Sequence, residues 1–193
     1  MVLLSLDIST SCIGISLFVD SKLLKIEFLN LKNIKGFNQK VDSFVSYVKD
    51  NYADVSIDVV VIELPTRNFR QGSSNNYTTM LLVAFNHAIS YICRDIFNAE
   101  LAYYSCDRAR KLAWPNFDFS NIEDKKLAVH TLVANAEPQI EWFFNKKDKL
   151  MIQNFDMTDA YTIGLAYFND DNGSTASDRI LTPAKSKKKK KKL

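Results

Sequence analysis

One segment constrains this chain more than any other: Asp58 to Glu63 (DVVVIE), four apolar residues in succession closed by an acid. Such a run has no polar face to offer solvent. It fits a strand buried on both sides, as in the parallel part of a mixed sheet covered by helices. An acid carried into the middle of a sheet needs a partner, because an unpaired charge is costly to bury. Glu63 is therefore a candidate functional residue before anything else is known.

The flanking sequence fills in the fold. Val2, Leu4 and Leu6 alternate with Leu3, Ser5 and Asp7 and end in the turn-prone Ser9-Thr10-Ser11. Cys12 to Asp20 and Leu23 to Leu31 follow across a short link, so three strands form an antiparallel meander. The period then changes: Val41, Phe44, Val45, Val48 and Tyr52 recur at helical spacing, predicting an amphipathic helix over 38–53. After the DVVVIE strand comes a polar loop over 65–76. A long helix is expected over 77–97, then a strand over 99–105 and a short helix from about Asp107. Ser120 with Glu123 three residues on reads as a capping box opening a further helix. The last helix is expected over 157–168. The order β-β-β-α-β-α-β-α-α-α makes an α/β mixed sheet of five strands, a three-strand antiparallel meander plus parallel strands, flanked by helices.

Residues 1–169 are read as one domain and 170–193 as a disordered Lys-rich tail, because DDNGSTASD and the lysines after it have too little apolar content to pack. Seven of the 25 basic residues (Lys185 and Lys187 to Lys192) lie in that tail. The net charge of +3 is therefore misleading: without them, 18 basic residues face 22 acidic ones. A uniformly basic DNA-binding body is excluded, and any nucleic-acid surface must be a local patch or the tail itself. Apolar runs of about 5 to 10 residues fall short of the roughly 20 that span a bilayer, and no signal-peptide pattern is visible. The expectation is a soluble intracellular protein. Cys12, Cys93 and Cys106 form no CxxC pair and are expected to be reduced thiols.

The acids supply the chemistry. Asp7 lies where the first strand gives way to a turn, Glu63 ends the fourth strand, and ligands of α/β sheets collect at strand ends. Asp156 and Asp159 are three apart on one face of the last helix. If that helix packs across the sheet near Asp7, four carboxylates converge, and they repel unless cations neutralise them. Hard oxygen ligands suit Mg²⁺ or Mn²⁺. Two such ions can activate a water and stabilise the leaving oxygen of a phosphodiester.

LLSLDISTSCIGISLF resembles the first motif of RuvC-type Holliday junction resolvases, members of the RNase H-like superfamily, in which an Asp on strand one precedes small residues and a Gly. VVVIELP resembles their second motif, an apolar strand ending in Glu. MTDAYTIGLAYF with the preceding Asp156 resembles their last: two acids three apart, then Ala and an apolar helix. The resemblance spans about residues 2–168. It implies an RNase H-like fold and metal binding by Asp7, Glu63, Asp156 and Asp159. It further implies Mg²⁺-dependent hydrolysis of branched DNA, leaving 5′-phosphate ends, by a homodimer formed through the helix over 77–97. It also implies an active-site lysine, at Lys125 or Lys126.

One departure stands out. Bacterial relatives carry an aromatic wedge three residues after the motif Glu, where this chain has Thr66; Phe69 comes three residues later, between Arg67 and Arg70. An aromatic among guanidinium groups suits stacking on unpaired bases with phosphate contact. Arg108, Arg110 and Lys111 form a second candidate phosphate patch. The same acids would also serve a flap nuclease or one cutting RNA–DNA hybrids. DISTSCIG resembles the first phosphate loop of sugar and acetate kinases too, but those enzymes need a second Gly-rich loop, and the chain has only five glycines.

Overall fold

A computed structural model describes residues 1–65 and 76–170. Thr66, Arg67, Phe69, Arg70 and the lysine tail lie outside the described residues. The element order is β1 (Val2–Ile8), β2 (Cys12–Val19), β3 (Lys22–Asn30), α1 (Phe37–Tyr52), β4 (Val59–Glu63), α2 (Asn76–Phe97), β5 (Glu100–Tyr104), α3 (Cys106–Ala113), α4 (Lys125–Ala136) and α5 (Gln153–Asn169). This is the order anticipated from the sequence. The sheet runs β3-β2-β1-β4-β5, antiparallel across the first two pairings and parallel across β1–β4 and β4–β5. Val59 to Ile62 are buried, as an apolar run between two parallel neighbours requires.

The alternating pleat divides the core. Leu4, Leu6, Ile13, Ile15, Val60 and Ile62 face α1 and α2, meeting Phe44, Val48, Phe85 and Ile89. Leu3, Phe18, Val59, Val61 and Tyr104 face the other way, onto α3, α4 and α5. All three cysteines are free thiols. By length and composition, α2 is the one described helix that could cross a membrane, a stretch longer than the apolar runs seen in the sequence. Its Phe85, Ile89 and Cys93 are packed into the sheet-facing core.

Helix α5 lies against the sheet unusually closely, and three small residues allow it. Ser5, fully buried on β1, donates from its hydroxyl to the Ala160 carbonyl at 2.7 Å. A Cβ at Gly164 would stand 2.4 Å from the Phe18 ring and 2.8 Å from Ser5 Oγ. One at Gly14 would stand 2.0 Å from the Asp156 carbonyl oxygen. The helix also starts earlier than its apolar pattern indicates, at Gln153 rather than 157. The fully buried Asn154 draws in the extra turn, accepting from Phe143 N (3.0 Å) and donating to Phe143 O (2.6 Å).

Two sequence expectations fail in this part of the chain. The capping box at Ser120 does not form, because the Ser120 hydroxyl and amide both donate to Asp118. Helix α4 begins only at Lys125, and Asp124 caps it by accepting from Leu127 N. Asp170 belongs to the packed body rather than the tail: it is buried, accepting from Tyr104 Oη (3.0 Å) and from Arg108 Nη2 (2.7 Å).

Candidate active site

Register places the acids. Leu6 and Ile62 are partners on the parallel strands β1 and β4, so Asp7 and Glu63 come next, side by side at the ends of both strands. Asp7 is also opposite Gly14, Gly14 opposite Phe28, and Glu63 beside Tyr104. A single row therefore crosses the sheet as Phe28–Gly14–Asp7–Glu63–Tyr104, on the face that α5 covers. Because α5 rests its backbone on Gly14, its Asp156 and Asp159 come down next to that row. Asn86 on α2 donates to the Glu63 carbonyl (3.0 Å), holding the end of β4 in place.

Asp7, Glu63 and Asp159 line one open cleft of about 690 Å³, together with Cys106, Arg110, Glu123, Asp124, Lys125 and Lys126. Asp156 flanks it near the Cys12 thiol, which opposes the rise of its carboxyl. Burial pushes the Asp7 carboxyl well above the usual range, and the neighbouring Glu63, Asp159 and Asp156 push it further. Burial and Asp159 likewise raise Glu63 to about 7 against the opposing pull of Arg110 and Lys126. Asp156 is raised, chiefly by burial. These shifts record the same fact: the fold holds several like charges together in a half-dry place.

Two side-chain cations answer part of that charge. Asp159, only 5% exposed, faces Arg110 Nη2 at 3.3 Å and Lys126 Nζ at 3.5 Å. Burial opposes the charge on Lys126, but Asp159, Asp7 and Asp156 together hold its ammonium above the ordinary value. Of the two lysines considered from the sequence, Lys126 is the one in contact with an acid; Lys125 lines the cleft. Among the described residues no three His, Cys, Asp or Glu side chains close on one point at metal-ligand spacing. The donor set is nonetheless of the right kind for a hard cation, with carboxylate oxygens crowded beyond what Arg110 and Lys126 offset.

The basic cluster expected on the surface after β5 is reorganised. Arg110 is buried, because it follows Ala109 and precedes Ala113 on the face of α3 that packs inward, and there it meets Asp159. Among the described residues its Nε has no hydrogen-bond partner. Arg108 is engaged by Asp170 and lies over the Tyr104 ring. Lys111 lines a second cleft with Arg110, Phe117, Phe119 and Lys125. Of the three, only Lys111 keeps the placement expected of a phosphate patch. The role of Arg110 beside the acids was not visible in the sequence, since local spacing does not tell which face of α3 turns inward.

No protein-family model and no curated protein matches the chain. Solved structures do. RuvC of T. thermophilus in complex with a Holliday junction substrate superimposes with a TM-score of 0.60 at 14% identity, covering 91% of this chain and 98% of that one. A structure of Thermus thermophilus RuvC gives a TM-score of 0.57 at 15% identity, covering 88% and 94%. The yeast mitochondrial Holliday junction resolvase Ydc2 gives 0.54 at 15% identity, covering 86% and 77%. The fold is therefore the RuvC-type RNase H-like fold, shared across nearly the whole length of the T. thermophilus RuvC chain.

Proposed function

We propose that this protein is a divalent-metal-dependent endodeoxyribonuclease that cuts branched DNA, four-way junctions above all, leaving 5′-phosphate ends. The observation that carries this reading is the convergence of Asp7, Glu63 and Asp159 in one cleft beside Lys126, with Asp156 adjoining. Those are the acids that the resolvase-like motifs single out, on a fold shared with a RuvC bound to a Holliday junction.

Asp7, Glu63, Asp156 and Asp159 would hold Mg²⁺ or Mn²⁺, two ions in one site. Bound there, the metal supplies an activated water and stabilises the leaving oxygen of the phosphodiester. The chain's own cations do the rest. Lys126 meets the negative charge that grows on the phosphate during attack, and Arg110 keeps Asp159 oriented from the buried side. A homodimer through α2 would present two such clefts to one junction; Met80 and Tyr91 on that helix are exposed while Leu81, Leu82 and Val83 are half-buried.

The test incubates the protein with labelled four-way, flap, RNA–DNA hybrid and linear duplex substrates, with Mg²⁺ or with a chelator. The expected result is metal-dependent, paired, symmetric nicking of the four-way junction. Preference for the hybrid would redirect the reading to another RNase H-fold nuclease, and cleavage of none of them would end it.

Contact with Asp159 separates the two neighbouring lysines. Lys126→Met is expected to lower the single-turnover rate on the junction by about 10²-fold, whereas Lys125→Met should act mainly on substrate affinity. Equal effects on the rate would remove Lys126 from the site.

A further inference from the structure

The stretch between α4 and α5, left without assignment from the sequence, is a built hairpin. Phe144 and Leu150 form an antiparallel bridge. Asn145 organises the tip: its side-chain oxygen accepts from Lys147 N (2.8 Å) and Lys149 N (3.2 Å), its carbonyl accepts from Asp148 N (3.0 Å), and its own amide donates to Lys149 O (2.9 Å). Asp148 takes a left-handed φ of 53° to close the turn. The result is a fixed tip that presents three exposed lysines, Lys146, Lys147 and Lys149, with Asp148 as its one acid. Among the described residues none of the three is held in an ion pair.

The hairpin is anchored to the catalytic row at two points. Asn154, two residues before Asp156, holds both backbone groups of Phe143. The Phe143 ring packs edge-on against Phe28 at 5.3 Å, and Phe28 lies in register with Gly14 and Asp7. Two strand spacings of about 4.8 Å put Phe28, on which the root of the hairpin packs, roughly 10 Å from Asp7. That is about three nucleotides of rise along one DNA strand, at about 3.4 Å each. A cluster of exposed lysines carried on that root, on a body whose charge is otherwise acidic, suits contact with a phosphate backbone that enters the acidic cleft.

We propose that the 143–151 hairpin is a DNA-backbone clamp. Lys146, Lys147 and Lys149 contact phosphates a few nucleotides from the one being cut, and the Asn154 and Phe28 anchors keep that grip in register with Asp7. The proposal rests on the nuclease reading and adds a contact surface to it.

The experiment measures binding of the full chain to a labelled four-way junction across a salt series. An Asp7→Asn background keeps the DNA intact. Replacing Lys146, Lys147 and Lys149 together by Gln is expected to weaken binding at least about tenfold near 0.1 M salt and to make the log–log salt slope shallower by about 2–3. Replacing all three by Arg should restore both. Thermal unfolding of each variant should match the parent, since the tip is exposed and Asn145 is kept. A Gln variant with the parent's affinity and slope would overturn the clamp while leaving the nuclease reading intact. A parent that binds no DNA would overturn both.

Discussion

Asp7→Asn is expected to lower junction cleavage by at least about 10³-fold and, in the same protein, to raise thermal stability. Both effects come from one cause. Asp7 lies among Glu63, Asp159 and Asp156, and burial together with their repulsion disfavours its charged form. Neutralising it removes one of the carboxylates proposed to hold the metal and also relieves a poorly solvated charge. Relief of that kind is worth about 1–3 kcal/mol, or several degrees at roughly 3 °C per kcal/mol for a chain of this size. The pH dependence follows the same sign. A carboxyl whose folded pKa is raised binds more protons in the folded than in the unfolded protein, so its contribution to stability falls as pH rises through the interval between the two values. For Glu63 that interval runs from its ordinary 4.5 to about 7. With chelator present, the wild type should lose stability across this window, and Asp7→Asn should lose less. Added Mg²⁺ should restore the wild type at the high end. A variant that lost activity and stability together would show that Asp7 is a structural residue.

Gly14→Ala is expected to act with the opposite sign on stability and to lower activity too, though less strongly than Asp7→Asn. The added methyl would meet the carbonyl oxygen and carbon of Asp156 at 2.0 and 2.4 Å and the amide of Met157 at 3.0 Å. These are backbone atoms of α5, with no side chain able to swing aside. Relief requires the helix to lift by roughly 1.4 Å, from 2.0 Å to an ordinary contact of 3.4 Å. Overpacking of this sort costs about 3 kcal/mol, or roughly 10 °C in Tm for a domain of this length. The lift also carries Asp156 and Asp159 away from Asp7. Misplacement by about 1 Å costs on the order of 10²-fold in rate. Calorimetry and single-turnover cleavage on the same preparation check both halves. An unchanged Tm would mean that α5 does not rest on Gly14.

The contrast between these two residues also shows what the sequence could reveal. Asp7 and Glu63 are legible because strand periodicity puts them at the ends of apolar strands, and Asp156 and Asp159 because helical spacing puts them on one face. The order of elements along the chain followed from changes of period such as the one after Leu31. Gly14 is marked only as the glycine of the first motif, and Ser5 carries no such signal. Their importance comes from a helix that arrives from residues 153–169, and nothing local announces which strand positions it will touch. Arg110 was read as a surface cation for the same reason: its burial depends on which side of α3 meets α5. The capping box at Ser120 failed because a nearer acceptor, Asp118, took the hydroxyl. The hairpin over 143–151 is built from Asn side chains bonding to backbone, which leaves no hydrophobic period to detect.

The hydrogen bond from Ser5 to the carbonyl of Ala160 joins the first strand to the last helix across 155 residues. A ribosome emits such a chain from its N-terminus at about 5–20 residues per second, so Asp7 emerges roughly 8–30 s before Asp159. Throughout that interval the nascent polypeptide holds at most three of the four clustered acids and lacks the docked closing helix, so under the proposed function it could not yet cut the nucleic acid around it. Under that reading competence would arrive in one late step, when the closing helix docks, and a chain cut short before that helix would be inactive rather than partly active.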